Sequence, residues 1–398
     1  MSKRVSKRTI VIGAVVLVAA VFVLDVSGSL ERYLALVFPP SALSPAYLKG
    51  KYDQGQPIRL LIVPGHEVGV GGAFYRNFWE RDLNIELSEK LVQLFGRDPH
   101  FQVSVTQNWA GYYPEFAEYF ENNRASIRAF YTGLRDVMRS LVGSGVVQKK
   151  MDGVRHNAAK PELGMRLYGV NKWAKDNAID IVLHLHFNDY PGRPRNGPGE
   201  YAGFAIYIPE RQFPNFEASH DIARAVLREL ARYFPISSYP PESAGIVEDQ
   251  DLIAIGANAS LEAAGILIEY GYIYEPQFAN LAIRSAALSE LAQETYNGFK
   301  RYFEGANTPV RETVIVPHMW AHEIGEGAKN QPDIFALQIA LTRDELYPPA
   351  GKSRDDCPPS GNFGPCTREA LRAFQTRYGL SANGKLDLNT IAKLNQIY

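Results

Sequence analysis

From Ile58 to about Ala306 the chain alternates between two hydrophobic rhythms. Short unbroken apolar runs, "IRLLIV", "IDIVLHLHF", "GFAIYI" and "GILIEYGYI", have the length and β-branched content of buried strands. Between them, "LNIELSEKLVQLF", "GVNKWAKDNA", "SHDIARAVLRELARYF" and "ALSELAQETYNGFKRYF" repeat apolar residues every three or four positions and read as amphipathic helices. This alternation predicts an α/β fold with a mostly parallel sheet flanked by helices. One stretch, about 107–162, breaks the rhythm. It is rich in aromatics and arginine, reads as helical, and looks like an insertion that is either a packing ornament or, as loops of that length often are, a lid. Residues 307–330, beginning "NTPVRETVIVPHMW", read as a linker. Residues 331–398 then predict a small three-helix unit, in which Leu371, Phe374 and Tyr378 share one helical face.

The N-terminus carries a different pattern. "MSKRVSKR" is basic, and "TIVIGAVVLVAAVFVL" is an uncharged apolar run that ends at Asp25. A basic flank before an apolar run keeps the N-terminus in the cytoplasm. The run is short against the roughly 20 residues of a full span. Residues 1–26 are therefore expected to be a signal anchor or a signal peptide. The lack of an A-x-A site near "VSGS" favours an anchor. Residues 27–57, with "FPPSALSP", are expected to tether the membrane helix to a domain at 58–306. Both alternatives put the bulk of the chain outside the cytoplasm, in the cell envelope, with the membrane as a partner.

Composition narrows the chemistry. A formal net charge of −1 over 398 residues gives no bulk attraction to nucleic acid. The 46% hydrophobic content is enough for sizeable cores. The two cysteines, Cys357 and Cys366, are too few for a cysteine-rich zinc site, so a metal site must use histidine and carboxylate.

Four positions supply those groups. His66 follows the strand "LLIVPG" directly. His184 and His186 project from one face of "IDIVLHLHF", and His186 lies at its C-terminal end, where open parallel sheets place ligands. Glu80 falls on the apolar face of the Leu83–Leu87–Leu91 helix, in its first turn, where an inward carboxylate needs a partner. Glu269 is the lone carboxylate near the end of an apolar strand. Each has an ordinary alternative: a hydrogen-bonded core imidazole, a first-turn acid, a structural carboxylate. Taken together they compose a His₂Glu zinc site with one open position and a separate general base. His318 and His322, four apart in "HMWAH", carry no HExxH and read as linker residues.

The motifs "LLIVPGHEVG", "FWERDLN", "VLHLHFND" and "ILIEYGYIYEP" resemble, in order, those of zinc-dependent N-acetylmuramoyl-L-alanine amidases of the amidase type 3 family. "GFAIYI" and "GIVEDQDLIAIGANASLEAAG" are similar to later parts of that family. The resemblance implies Zn²⁺ bound by His66, Glu80 and His186, with Glu269 catalytic. His186 is preferred to His184 because "HFN" matches the family's H-x-N. His184, Glu67 and Asn188 then become supporting or substrate-wall residues. Two departures stand out: Val63 replaces an acid before Pro-Gly-His, and Glu67 and Val68 replace glycines after it. Some relatives carry an inserted helix that masks the zinc, so 107–162 could act as an autoinhibitory lid. The C-terminal "GNFGPCTREALRAFQTRYGL" and "NGKLDLNTIAKL" resemble a three-helix peptidoglycan-binding domain, and Cys357 and Cys366 flank one of its loops, where a disulfide could form outside the cytoplasm. The implied protein is a wall hydrolase with peptidoglycan as its partner and an unknown regulatory activator. The rivals are a wall-binding protein without catalysis and a zinc peptidase cutting the stem peptide. A serine or cysteine hydrolase is weakest, because no G-x-S-x-G is present and both cysteines lie in the C-terminal unit.

Overall fold

The computed structural model describes residues 44–150, 154, 159–256 and 261–398. The expected anchor at 1–26 lies outside the described residues, as does the first part of the tether. Among the described residues no helix is long and apolar enough to cross a membrane.

A six-stranded sheet forms the centre of the larger unit. Its strands are β1 (Ile58–Pro64), β2 (Phe101–Val105), β3 (Ile181–Asn188), β4 (Ala205–Pro209), β5 (Ile246–Asp249) and β6 (Ala264–Tyr272). They lie in the order β2-β1-β3-β6-β4-β5. The first four are mutually parallel, and β4 pairs antiparallel to β6. The predicted mostly parallel sheet is therefore present, with β4 and β5 forming a reversed edge. From β1 the chain goes to β2 on one side and later to β3 on the other. The order thus reverses between β1 and β3, and such a switch point opens a crevice beyond the strands' C-terminal ends.

Period-2 alternation sorts the strands' side chains onto two faces. Leu60, Ile62, Leu183, Leu185, Ile266 and Ile268 belong to the main core cluster. That face is covered by α2 (Glu80–Gly96), α6 (Phe216–Leu230) and α7 (Leu281–Glu304). Leu61, Val63 and Val182 face the other way, onto Phe116, Phe120, Ile127, Val170 and Trp173. These come from α3 (Pro114–Asn122), α4 (Arg124–Gly143) and α5 (Pro161–Asp176).

In the insertion, α3 and the start of α4 form a layer against the sheet. Phe116 and Phe120 sit four apart and bury one face of α3 against the sheet side. The described part of the insertion does not seal the metal crevice, because the His66 and His186 side chains remain 25% and 22% exposed.

Two connecting segments are also more ordered than expected. The end of the tether forms α1 (Pro45–Asp53), capped by Ser44, with Leu48 and Tyr52 buried in the main core. Apolar side chains at that spacing gain more from burial than a free tether would. The linker docks as well. Val316 and Trp320 enter the C-terminal core, where Trp320 Nε1 donates to the Asp333 carbonyl at 2.9 Å. The smaller unit packs α8 (Pro332–Arg343), α9 (Pro365–Arg377) and α10 (Leu388–Ile397) around Leu337, Leu371, Phe374 and Leu394. Cys357 and Cys366 are joined by a disulfide. Phe335 and Ile339 of α8 belong to the same cluster as Ile283 and Ala287 of α7, so the two units share apolar contact.

Candidate metal centre

His66 stands two residues beyond the end of β1, and His186 lies near the end of the neighbouring β3. Glu80 opens α2, whose N-terminal dipole favours a carboxylate there. One ligand atom from each of the three lies within 4.8 Å of the others, the only such cluster among the described residues. Glu80 is buried. Its Oε2 is 2.8 Å from His66 Nε2, and its Oε1 is 3.0 Å from His186 Nδ1. The Ala73 and Phe187 backbone N–H groups also donate to it, at 3.1 and 3.2 Å.

Electrostatics follow from this packing. Burial alone would raise the Glu80 pKa, but the two imidazoles outweigh it and hold the carboxyl well below its ordinary range. Burial pulls His66 down, yet Glu80 and Glu67 leave it raised. Two imidazole nitrogens and a carboxylate are donors that could hold a metal ion. Two glycines keep the space clear. A Cβ at Gly65 would stand 2.3 Å from His186 Cε1. At Gly72, where φ is +77°, a Cβ would lie 2.5 Å from both Glu80 Oε2 and the His66 ring.

His66 itself has a φ of +65°, in the left-handed region that a non-glycine residue occupies at a cost. Buried amides hold it there. Gln107 Nε2 donates to the Pro64 carbonyl at 2.7 Å and to the His66 carbonyl, and Asn84 Nδ2 donates to the Gly65 carbonyl at 3.1 Å. Val63 is buried among apolar side chains and gives the loop no polar support. Neither amide was singled out in the sequence. Asn84 had a signal, since it lies one turn after Glu80 on the same helix. Gln107 had none.

Glu269 pairs in register with His186 on the adjacent strand, so both side chains project from one face. Its Oε2 is buried without a hydrogen-bond partner among the described residues. Burial first, then the charges of Glu80 and Glu242, raise its pKa well above the carboxylate norm. Glu242, another buried residue absent from the sequence reading, accepts from Asn188 Nδ2 at 3.0 Å and from the Tyr207 hydroxyl at 2.5 Å.

The three supporting residues land differently from one another. Asn188 turns to Glu242 rather than to the ligands. His184 is buried, and burial together with the neighbouring His186 pushes its pKa down to about 3, which favours the neutral imidazole. Glu67 does not face solvent. It is buried in a bidentate pair with Arg166 of α5, whose Nε donates at 2.7 Å. His318 and His322 form no such cluster. His318 meets Asp333 at 3.1 Å, and His322 is exposed.

Fold and site together define an α/β protein with a carboxylate beside a crevice whose three donors could hold a metal ion, at the sheet's switch point. Comparison with known proteins adds two findings. Residues 330–394 match the family model described as "Putative peptidoglycan binding domain". Among solved structures, the chain is similar to the N-acetylmuramoyl-L-alanine amidase from Clostridium difficile 630, at 16% identity and a TM-score of 0.39, covering 62% of this chain and 97% of that one. It is also similar to the catalytic domain of CwlV, an N-acetylmuramoyl-L-alanine amidase from Bacillus (Paenibacillus) polymyxa var. colistinus, at 15% identity and a TM-score of 0.38, covering 63% and 99%. A third is the CwlD amidase from Clostridioides difficile in complex with the GerS lipoprotein, at 13% identity and a TM-score of 0.40, covering 62% and 98%. No curated protein sequence matches the chain.

Proposed function

We propose that this chain is a zinc-dependent cell-wall hydrolase that cuts the amide between the lactyl group of N-acetylmuramic acid and L-alanine in peptidoglycan. One observation carries the reading: Glu269, with its unpartnered buried oxygen, stands in register with His186 beside the His66–Glu80–His186 cluster. A zinc ion held by those three residues would polarise a carbonyl and lower the pKa of water toward about 7. The chain's own residues do the rest. Glu269 accepts the proton of the attacking water and returns it to the departing alanine nitrogen as the C–N bond breaks. Its environment suits both tasks. Burial and acidic neighbours raise its proton affinity, and a zinc ion held beside it would lower that affinity again. Glu242 keeps Asn188 and Tyr207 oriented behind it.

The C-terminal unit supports the choice of polymer, because its sequence matches a peptidoglycan-binding family model over 330–394. Holding the enzyme on the wall raises the effective substrate concentration at the crevice. The Cys357–Cys366 disulfide and the basic-then-apolar N-terminus support an extracytoplasmic location in the cell envelope, with a retained membrane anchor preferred to cleaved secretion. A protein that only binds the wall has no use for an unpartnered carboxylate beside a metal crevice.

The test is release of soluble fragments from purified peptidoglycan. Release should stop on chelation, return with zinc, and be absent in Glu269→Gln despite an equal metal content. Release that survives chelation contradicts the reading.

A further inference from the structure

The chain has four tryptophans, and they divide in a way that core packing does not explain. Trp173 and Trp320 are buried, at 9% and 1% exposure, while Trp79 and Trp109 are 45% and 49% exposed. Both exposed residues lie on segments that flank the candidate metal ligands. Trp79 directly precedes the ligand Glu80, and its ring lies against Gly71, where a Cβ would be 2.6 Å from it. Trp109 is at the tip of the ribbon that pairs 107–108 with 111–112. That ribbon reaches the histidine loop, since a Cβ at Gly111 would be 3.6 Å from Val68 Cγ2. Arg81, two residues after Trp79, ties the two sites together by donating to the carbonyls of Asn108 and Trp109 at 2.6 and 3.2 Å.

Val68 and Val70, on the same loop, are 60% and 37% exposed, and Tyr113 at the ribbon's base is 37% exposed. Solvent-facing apolar groups gathered this closely mark a binding surface more often than chance. Its chemistry is distinctive. No charged residue occurs within Val68–Tyr75 or Gln107–Tyr113, and the arginine beside Trp79, Arg195, lies over the Phe74 ring at 4.9 Å. A membrane-facing surface would carry a cluster of lysine or arginine for anionic headgroups. This one offers flat aromatic faces, backbone polar groups and the Asn108 amide.

We propose that Trp79 and Trp109 form a sugar-stacking subsite that holds the glycan strand of peptidoglycan next to the muramic acid being cut. The proposal rests on the amidase reading for its occupant. The apolar face of a neutral N-acetylhexosamine ring matches an indole face, and its N-acetyl group matches the amide and carbonyls at the ribbon tip. The position is also the required one. The scissile amide hangs from a sugar, so a strand presenting it to His66 and Glu80 must pass over the loops that flank those two residues. Glu67 and Val68 are where the motif departs from its glycine-bearing relatives. Glu67 turns inward to Arg166, and Val68 turns outward to the ribbon.

The test uses the full chain without added metal, so it does not depend on catalysis. Tryptophan emission is titrated with peptide-free glycan strands of alternating N-acetylglucosamine and N-acetylmuramic acid. The wild type should show a saturable change, and Trp109→Ala should weaken it by roughly tenfold, a usual loss when an aromatic anchor is truncated. Trp109→Phe should restore most of it. Trp320 of the C-terminal unit also emits, so the titration is run in a Trp320→Phe background, which leaves only the larger unit's tryptophans to report. With zinc present, Trp109→Ala should raise KM by a larger factor on whole peptidoglycan than on a lone N-acetylmuramoyl peptide. Identical titrations for wild type and Trp109→Ala would overturn the subsite. So would a patch that responds to a protein fraction of the envelope but not to glycan. Loss of cleavage with glycan binding intact would instead count against the amidase reading, so the two failures are distinguishable.

Discussion

Gln107→Leu removes the clamp on the histidine loop while nearly conserving side-chain volume. The wild-type amide donates to the carbonyls on either side of Gly65, those of Pro64 and His66, and is itself only 2% exposed. Two lost hydrogen bonds of about 1 kcal/mol each, plus carbonyls left partly unsatisfied in a dry site, come to about 2–4 kcal/mol. Holding a histidine at φ +65° costs on the order of 1–2 kcal/mol. The clamp therefore exceeds the strain it opposes, and without it the loop should relax and carry His66 Nε2 away from Glu80. Weakening the outer support of a metal ligand usually costs about 10- to 100-fold in affinity. Zinc affinity, measured by competition with a chromogenic chelator, should fall by that factor, with a lowered thermal midpoint. The cysteines, and every ligand, are untouched. Zinc binding within about twofold of wild type, at an unchanged midpoint, would refute the clamp.

Other outcomes follow from the same geometry. Gly65→Ala keeps all three ligands but drives a methyl into the His186 ring, 2.3 Å from Cε1, so metal titration should show no tight site although the chain remains folded by circular dichroism. In α7, burial raises Glu294 to a pKa of about 10, with Glu290 adding to the shift. The folded carboxyl thus holds its proton where the unfolded one has lost it. Its stabilising share is full below the unfolded value of about 4.5 and drains away as pH rises toward about 10. Glu294→Gln, which keeps an oxygen for Asn297 at Oε1, should therefore raise the thermal midpoint at about pH 9 and leave it unchanged near pH 4. A pH-independent difference would contradict this.

The residues that the sequence exposed are those whose positions obey a local period. His186 and Glu269 are strand-end polar groups in otherwise apolar runs, and Glu80 keeps the phase of a leucine stripe, so spacing marked them as candidates, while the family resemblance chose His186 over His184. The parallel sheet was legible for the same reason. Partners supplied by tertiary approach left no such trace. Glu67 meets Arg166 across 99 positions, and Glu242 reaches Asn188 from a proline turn with no periodic pattern. The aromatic insertion left packing and lid both open, because its Phe116–Phe120 pair has the spacing of any amphipathic helix. Only the packed structure reveals that its apolar face belongs to the sheet. The tether failed likewise, since a nine-residue helix with Leu48 and Tyr52 as its buried residues carries too short a period to register.

The most direct measurement identifies the new chemical ends after full-length enzyme and zinc digest purified peptidoglycan. The account predicts stem peptides with a free L-alanine amino terminus and glycan strands with intact lactyl carboxylates, produced by the wild type and not by Glu269→Gln. New amino termini within the stem peptide would make the crevice a peptidase instead, and no new ends at all would remove Glu269 from any catalytic role.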